Sequence, residues 1–238
     1  MNSYHGHLYP ENARNTGYFE SATDYIFLLG HSGPDGITPL GTIFSLKRPG
    51  FFATCAHVAG NKEKGLVLIK NTARRLSDYQ DQSSNECIAY PVSIHSTHPF
   101  YDLTVIRLEG GSPGDDFTPH LAIGNLDHAS IGTPCTTIGF PHLDSGRRIL
   151  TLQSCELGAK TILSPPPLRV RYGVINLLAR QGQSGSPIVN NETKEIIAVL
   201  CGAYLPDNGV RVITAGVEVA SLHQTTHAVA AEYIEEMY

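Results

Sequence analysis

Gly182-Gln183-Ser184-Gly185-Ser186-Pro187 is the stretch on which the reading of this chain turns. A serine hydroxyl is a poor nucleophile at neutral pH. It needs a neighbouring base, and a place for the negative charge that its attack creates. Glycine at 182 permits a tight turn whose N–H is not screened by a Cβ, so the amides of Gly182 and Ser184 can converge on one oxygen. Gly185 lets the chain pass closely behind the serine, and Pro187 opens a strand. Taken alone, the segment also describes an ordinary Gly/Ser turn between two strands, so the base has to be sought elsewhere.

Two earlier segments supply what is missing. Thr54-Cys55-Ala56-His57-Val58 ends an apolar run with a histidine, and Tyr101-Asp102-Leu103-Thr104-Val105-Ile106 opens one with an aspartate. Singly, His57 reads as a core histidine and Asp102 as a turn residue. Together with Ser184 they match a base, a carboxylate that orients it, and a nucleophile.

Outward from these segments the chain is a series of short runs rich in Val, Ile, Phe and Tyr, as strands are. The first set is Tyr25–Leu29, Leu40–Leu46, Gly50–Thr54, Leu66–Ile69, Ile88–Ile94 and Leu103–Leu108. Gly30 to Gly36 is a dense turn signal. Gly110-Gly111-Ser112-Pro113-Gly114-Asp115-Asp116 is the best internal boundary. Beyond it come Pro134–Gly139, Arg148–Cys155, Leu168–Leu178, Pro187–Val189, Ile196–Cys201 and Val210–Val217. Val219, Leu222, His223, Thr226, Val229, Ala230, Tyr233 and Ile234 recur at helical spacing, which predicts an amphipathic helix. The expected fold is all-β: a polar arm over 1–20, a first antiparallel Greek-key barrel over 21–110, a second over 111–217, and a C-terminal α-helix over 218–238.

Composition narrows the function class. The 238 residues are 41% hydrophobic and 16% charged, with net charge -5 and no run of Lys or Arg. Nucleic acid and anionic membrane are therefore not expected partners. The start of the chain has neither the basic nor the apolar segment of a secretory signal. Five scattered cysteines, Cys55, Cys87, Cys135, Cys155 and Cys201, do not form a disulfide framework, and the expectation is reduced thiols in the cytoplasm. His5 with His7, His95 with His98, and His223 with His227 are paired, but none has an obvious third or fourth metal ligand nearby. No metal or cofactor is expected.

The Ser184 segment resembles the GDSGGP and GNSGSP motifs of trypsin-like, chymotrypsin-fold serine peptidases. Its Ser186-Pro187 ending, with Ile188-Val189-Asn190-Asn191, is most similar to the bacterial glutamyl-endopeptidase branch. Thr54–Val58 resembles that family's TAAHC or TAAHV, and His98-Pro99-Phe100-Tyr101-Asp102-Leu103 with its following strand resembles HPxYDxAxxxL. Ala215-Gly216-Val217 resembles the glycine-valine step near the family's last strand. The order His, Asp, Ser is also the family's. The resemblance spans roughly 25–235. It implies a serine endopeptidase acting on a protein or peptide substrate. His57, Asp102 and Ser184 would be the catalytic residues, and the amides of Gly182 and Ser184 the oxyanion hole.

The departures from the family are informative. Gln183 stands where trypsin-like zymogens carry the aspartate that pairs with a newly cut N-terminus, so that switch is not expected. The site would be either constitutively formed or ordered by a regulatory partner. Val58 replaces a cysteine that often follows the histidine. By resemblance, Leu178 and Leu200 line the primary pocket. Both are apolar, which implies a small or medium apolar side chain at the cleaved position. Cys201, Gly202 and Ala203 would pair with an extended substrate. Two alternatives remain beside this reading: a silent binding module on the same fold, and an esterase-like acyl hydrolase.

Overall fold

The computed structural model describes residues 16–62, 64–83, 86–110, 117, 121–162, 169–204, 213–214, 217–218 and 225–238. The linker expected at 110–116 falls outside them beyond Gly110, as do residues 1–15 of the expected arm.

The short apolar runs of the first half form β1 (Ile26–Gly33), β2 (Gly36–Ser45), β3 (Phe51–Thr54), β4 (Leu66–Lys70), β5 (Ile88–Thr97) and β6 (Thr104–Leu108). They close into an antiparallel barrel in the order β1-β2-β3-β6-β5-β4. Closure leaves no unpaired edge. The turn signal at 30–36 tightens to Pro34-Asp35, because β1 and β2 pair as far as Gly33 with Gly36. Phe27, Ile43, Phe52 and Ile106 lie on one face of these strands and are buried, with Phe27 edge-on to Phe52 at 5.8 Å. A single helical turn, α1 (Ala56–Ala59), follows β3.

The second half contributes β7 (Ala122–Ile123), β8 (Pro134–Gly139), β9 (Thr151–Ile162), β10 (Arg171–Ile175), β11 (Pro187–Asn190), β12 (Glu195–Tyr204), a small pair β13 (Ile213–Thr214) and β14 (Val217–Glu218), and β15 (Thr225–Ala230). Six of these close a second antiparallel barrel in the ring β8-β9-β10-β15-β12-β11, while β7 adds to β12 in parallel at Glu195–Ile196. The protein is thus all-β, two six-stranded barrels with few helices.

The C-terminal α-helix is a correction. Thr225–Ala230 is a strand that completes the second barrel, and among the described residues of 218–238 the helical ones are Ala231–Glu236, a 3-10 helix. Thr226, Ala228, Val229 and Ala230 are all buried. A strand covered on both faces shows no alternation, so Thr225–Ala230 followed by a true helical turn mimics one long helix. Residues 219–224 of the expected helix lie outside the described residues. The last strand of the barrel is accordingly β15 rather than the run at 210–217, of which only the short β13–β14 pair is described. The arm also needs correcting at its end: Thr16–Asp24 is a 3-10 helix whose Phe19 is buried.

The tail ties the barrels together. Tyr233 stacks on Tyr101 at 3.9 Å, and Tyr101 on His98 at 3.7 Å. Arg171, on β10, holds Tyr233 Oη from its backbone N–H and Nε, both at 3.2 Å, and ion-pairs with Glu232 at 3.1 Å and with Asp127. Ser96 Oγ donates to the Met237 carbonyl at 2.8 Å.

Candidate active site

β3 and β6 end together, with Thr54 opposite Thr104. That register carries the segment after β3 alongside the turn before β6, and so brings His57 to Asp102. The carboxylate takes two bonds from one residue: His57 Nδ1 lies 2.5 Å from Oδ2, and the His57 backbone N–H donates to Oδ1 at 2.9 Å. The His57 side chain is 49% exposed and that of Asp102 28%. One edge of the ring is therefore anchored while the rest stays open to a ligand. The Asp102 turn is itself held by His98, whose Nδ1 accepts the N–H groups of Phe100 and Tyr101 at 3.2 and 3.0 Å. Burial holds the His98 pKa below the usual histidine value, against the opposing pull of Glu236.

Ser184 lies on the turn before β11. Gly182 has φ +95°, and a Cβ there would overlap Phe140 O and the Leu143 side chain. Gly185 has φ +87°, with a Cβ overlapping Thr42 O and Thr54 Oγ1. Glycine is required at both places by conformation and by space. The peptide groups around the serine are individually fixed. Gln181 O accepts from Leu143, Gln183 N donates to Arg180 O at 3.0 Å, Ser186 N to Gln183 O at 2.9 Å, and Gly185 N to Leu200 O at 2.8 Å. Among the described residues the N–H groups of Gly182 and Ser184 donate to no protein acceptor. Gln183 is buried, accepts from the Arg180 N–H at 2.6 Å and donates to Gln153 Oε1. A neutral amide pair thus braces the turn from within.

Ser184 Oγ donates to the Cys201 carbonyl at 3.0 Å; among the described residues it makes no hydrogen bond to His57. Cys55 Sγ is buried and donates to Leu200 O at 3.2 Å. Burial, with Cys201 close by, pushes its thiol pKa well up, so Cys55 is a neutral donor rather than a thiolate. Cys55, His57 and Asp102 have ligand atoms within 4.8 Å of one another. Their chemistry does not fit a metal, because Asp102 is committed to His57 and Cys55 holds its proton. Of the paired histidines, His95 packs on Phe51, His98 supports the turn, and His227 lies near Tyr172. His5, His7 and His223 lie outside the described residues.

The residues expected to bind substrate divide. Cys201, Gly202 and Ala203 are on β12, paired on one side with β15 through Gly202–His227 and Ala203–Thr226. On the other side, β11 pairs β12 only as far as Val199, followed by two backbone bonds at Leu200. The segment 201–203 therefore has an edge beside Ser184. Leu200 is a correction: its side chain is wholly buried in the barrel, and only its backbone reaches the site. Leu178 is 38% exposed. The groups flanking it, Leu177 O and Ala179 N, are both bonded to Thr226 Oγ1. Thr226, misread as part of a helix, joins this segment to β12. Thr42 was also missed. It is buried, and it carries no motif.

A family model described as trypsin-like peptidase domain matches residues 41–199. No curated protein matches. Among solved structures, the MamO protease domain from Magnetospirillum magneticum (apo form) is similar, with TM-score 0.64 and 12% identity over 92% of this chain and 97% of that one. Rv3671c from M. tuberculosis, in an inactive serine-to-alanine form, gives TM-score 0.62 and 15% identity over 97% and 93%. The HtrA-type protease AlgW with tripeptide gives 0.62 and 14% over 95% of this chain and 62% of that one. At such identities these structures speak for the fold. The family match takes in β3, both histidine and aspartate segments and the serine turn, and by it the chain belongs to the trypsin-like peptidase family, the serine-type endopeptidases.

Proposed function

We propose that the chain hydrolyses peptide bonds by acyl transfer at Ser184. The observation that carries this reading is the pattern of fixed peptides around the serine, which leaves two amides free in a fold that also orients a histidine by a carboxylate. Ser184 Oγ leaves the Cys201 carbonyl, turns to His57, and attacks the substrate carbonyl carbon. Its proton passes to His57 Nε2 as the new C–O bond forms. Asp102 stabilises the imidazolium, and the Gly182 and Ser184 amides take the oxyanion. The C–N bond then breaks, and His57 gives the proton to the leaving amine. Water, deprotonated by His57, releases the acid and restores the serine.

The substrate backbone lies along 201–203 in an extended form, with its amide beside the cleaved residue donating to Cys201 O. That bond competes with Ser184 Oγ for the same acceptor and so frees the nucleophile when substrate arrives. Thr226, bridging 177–179 to Ala203, limits the depth between these two walls, which supports a small or medium apolar side chain at the cleaved position. The Gln183–Gln153 pair supports a turn that forms without chain cleavage, although a regulatory partner remains part of the proposal. A cytoplasmic location is also part of it and rests on composition.

The test is Ser184→Ala beside the wild type, with a fluorophosphonate probe and a peptide library. Wild type should be labelled and cleave peptides in preference to simple esters. The variant should be unlabelled and slower by ~10⁴-fold or more, with an unchanged melting temperature. An unlabelled wild type would point to a silent binding module. Labelling with turnover of esters alone would point to an acyl hydrolase.

A further inference from the structure

We propose that Thr42 is a positioning residue for the oxyanion site, a role that rests on Ser184 acting as the nucleophile. Thr42 lies on β2 of the first barrel and is fully buried. Both of its bonds to the serine turn cross from one barrel to the other. Its Oγ1 donates to Gly182 O at 2.8 Å, and its backbone N–H donates to Ser184 O at 2.9 Å.

The placing of these two bonds is what gives Thr42 leverage. The amide that Ser184 offers to an oxyanion belongs to the 183–184 peptide. Thr42 holds the carbonyl of the peptide before it and the carbonyl of the peptide after it. The peptide between them is held at its own carbonyl by the Ser186 N–H, and the two Thr42 bonds fix the peptides on either side of it. Gly182 has no side chain and a positive φ, so its own conformation supplies little restraint. The other end of the 182–183 peptide is fixed by Gln183 N on Arg180 O, and that of 184–185 by Gly185 N on Leu200 O. Thr42 is the partner on the first-barrel side for both.

Thr42 is in turn held on every polar atom. Its Oγ1 accepts the Phe140 N–H at 3.1 Å, which fixes the hydroxyl proton towards Gly182 O, and its carbonyl accepts Thr54 Oγ1 at 2.7 Å. Thr54 closes β3, three residues before His57. One buried threonine thereby links the strand that leads to the base with the turn that carries the nucleophile. A backbone N–H at this place would be supplied by any residue but proline. The hydroxyl bond to Gly182 O needs Thr or Ser.

Catalysis by fixed donors is sensitive to displacements well below 1 Å. Loss of the hydroxyl should therefore act on the transition state and leave ground-state binding along 201–203 alone. The experiment compares Thr42→Val and Thr42→Ser with wild type, with kcat expressed per active site titrated by fluorophosphonate. Thr42→Val should lower kcat by about 10- to 100-fold with KM within about threefold. It should weaken a peptide boronate, which presents a tetrahedral oxyanion, by the same factor as kcat/KM. Thr42→Ser should restore kcat to within about threefold of wild type. A merely structural role would reduce the number of titratable sites but not the rate at each.

The inference is overturned if Thr42→Val keeps wild-type kcat per site, if its deficit lies in KM, or if Thr42→Ser is no better than Thr42→Val. Should Thr42→Val not fold, Thr42→Cys, whose thiol fills the space but donates weakly, is held to the same expectations. A wild type that fails to label overturns the Ser184 reading itself and this one with it.

Discussion

His57 and Asp102 are joined at two levels, ring to carboxylate at 2.5 Å and backbone N–H to the same carboxylate at 2.9 Å. The second bond means that Asp102 positions the whole residue as well as its imidazole. Asp102→Asn keeps an acceptor for the backbone but offers the ring the wrong partner for the Nδ1 proton. The expected result is a loss of ~10⁴-fold in kcat with little change in melting temperature. Steady-state kinetics beside a thermal melt checks it.

Gln183 should matter to stability and rate together. Gln183→Ala leaves the Arg180 N–H and the Gln153 amide without their partner inside the turn, a cost of about 1–3 kcal/mol. Denaturant unfolding should report that loss, and fluorophosphonate labelling should slow. Intact mass of the labelled wild type should equal the uncut chain plus one phosphonyl group, since the turn is braced by Gln153 rather than by a new N-terminus.

Thr226 gives a specificity test. Thr226→Ala opens the space between 177–179 and β12, and should move the preference at the cleaved position towards larger apolar side chains by about tenfold in kcat/KM. Thr226→Val restores the volume without the hydroxyl and should keep the original preference. A library cleavage profile of the three proteins separates filled space from hydrogen bonding.

His98 gives a pH test. Burial lowers its folded pKa below the histidine value of 6.5. As pH falls through 6.5 the unfolded chain takes a proton that the folded chain refuses, so folded stability declines until the lower, folded pKa is passed. Protonation at Nδ1 also removes the acceptor for the Phe100 and Tyr101 amides. Between about pH 7.5 and 5 the wild type should therefore lose more melting temperature than His98→Asn.

The sequence was legible wherever chemistry is local. Short β-branched runs marked the strands of the first barrel, and Gly182, Ser184 and Gly185 announced a turn whose glycines the structure requires. The pocket was less legible. Leu200 was a lining residue by resemblance, yet β12 buries its side chain. Thr226 was hidden because a strand covered on both sides loses the alternation that identifies strands. Thr42 was invisible for another reason: Gly182, Ser184 and Phe140 lie far along the chain, and each meets it through a backbone atom that carries no sequence signature.

β15 lies between β10 and β12, and it follows His57, Asp102, Ser184 and 201–203 in the chain. A nascent polypeptide that has already displayed Ser184 still has two neighbouring strands waiting with open edges. The second barrel cannot close around its nucleophile turn until β15 is available to pair with both of them. The interval before closure is the time when these two edges are most open to pairing with another chain.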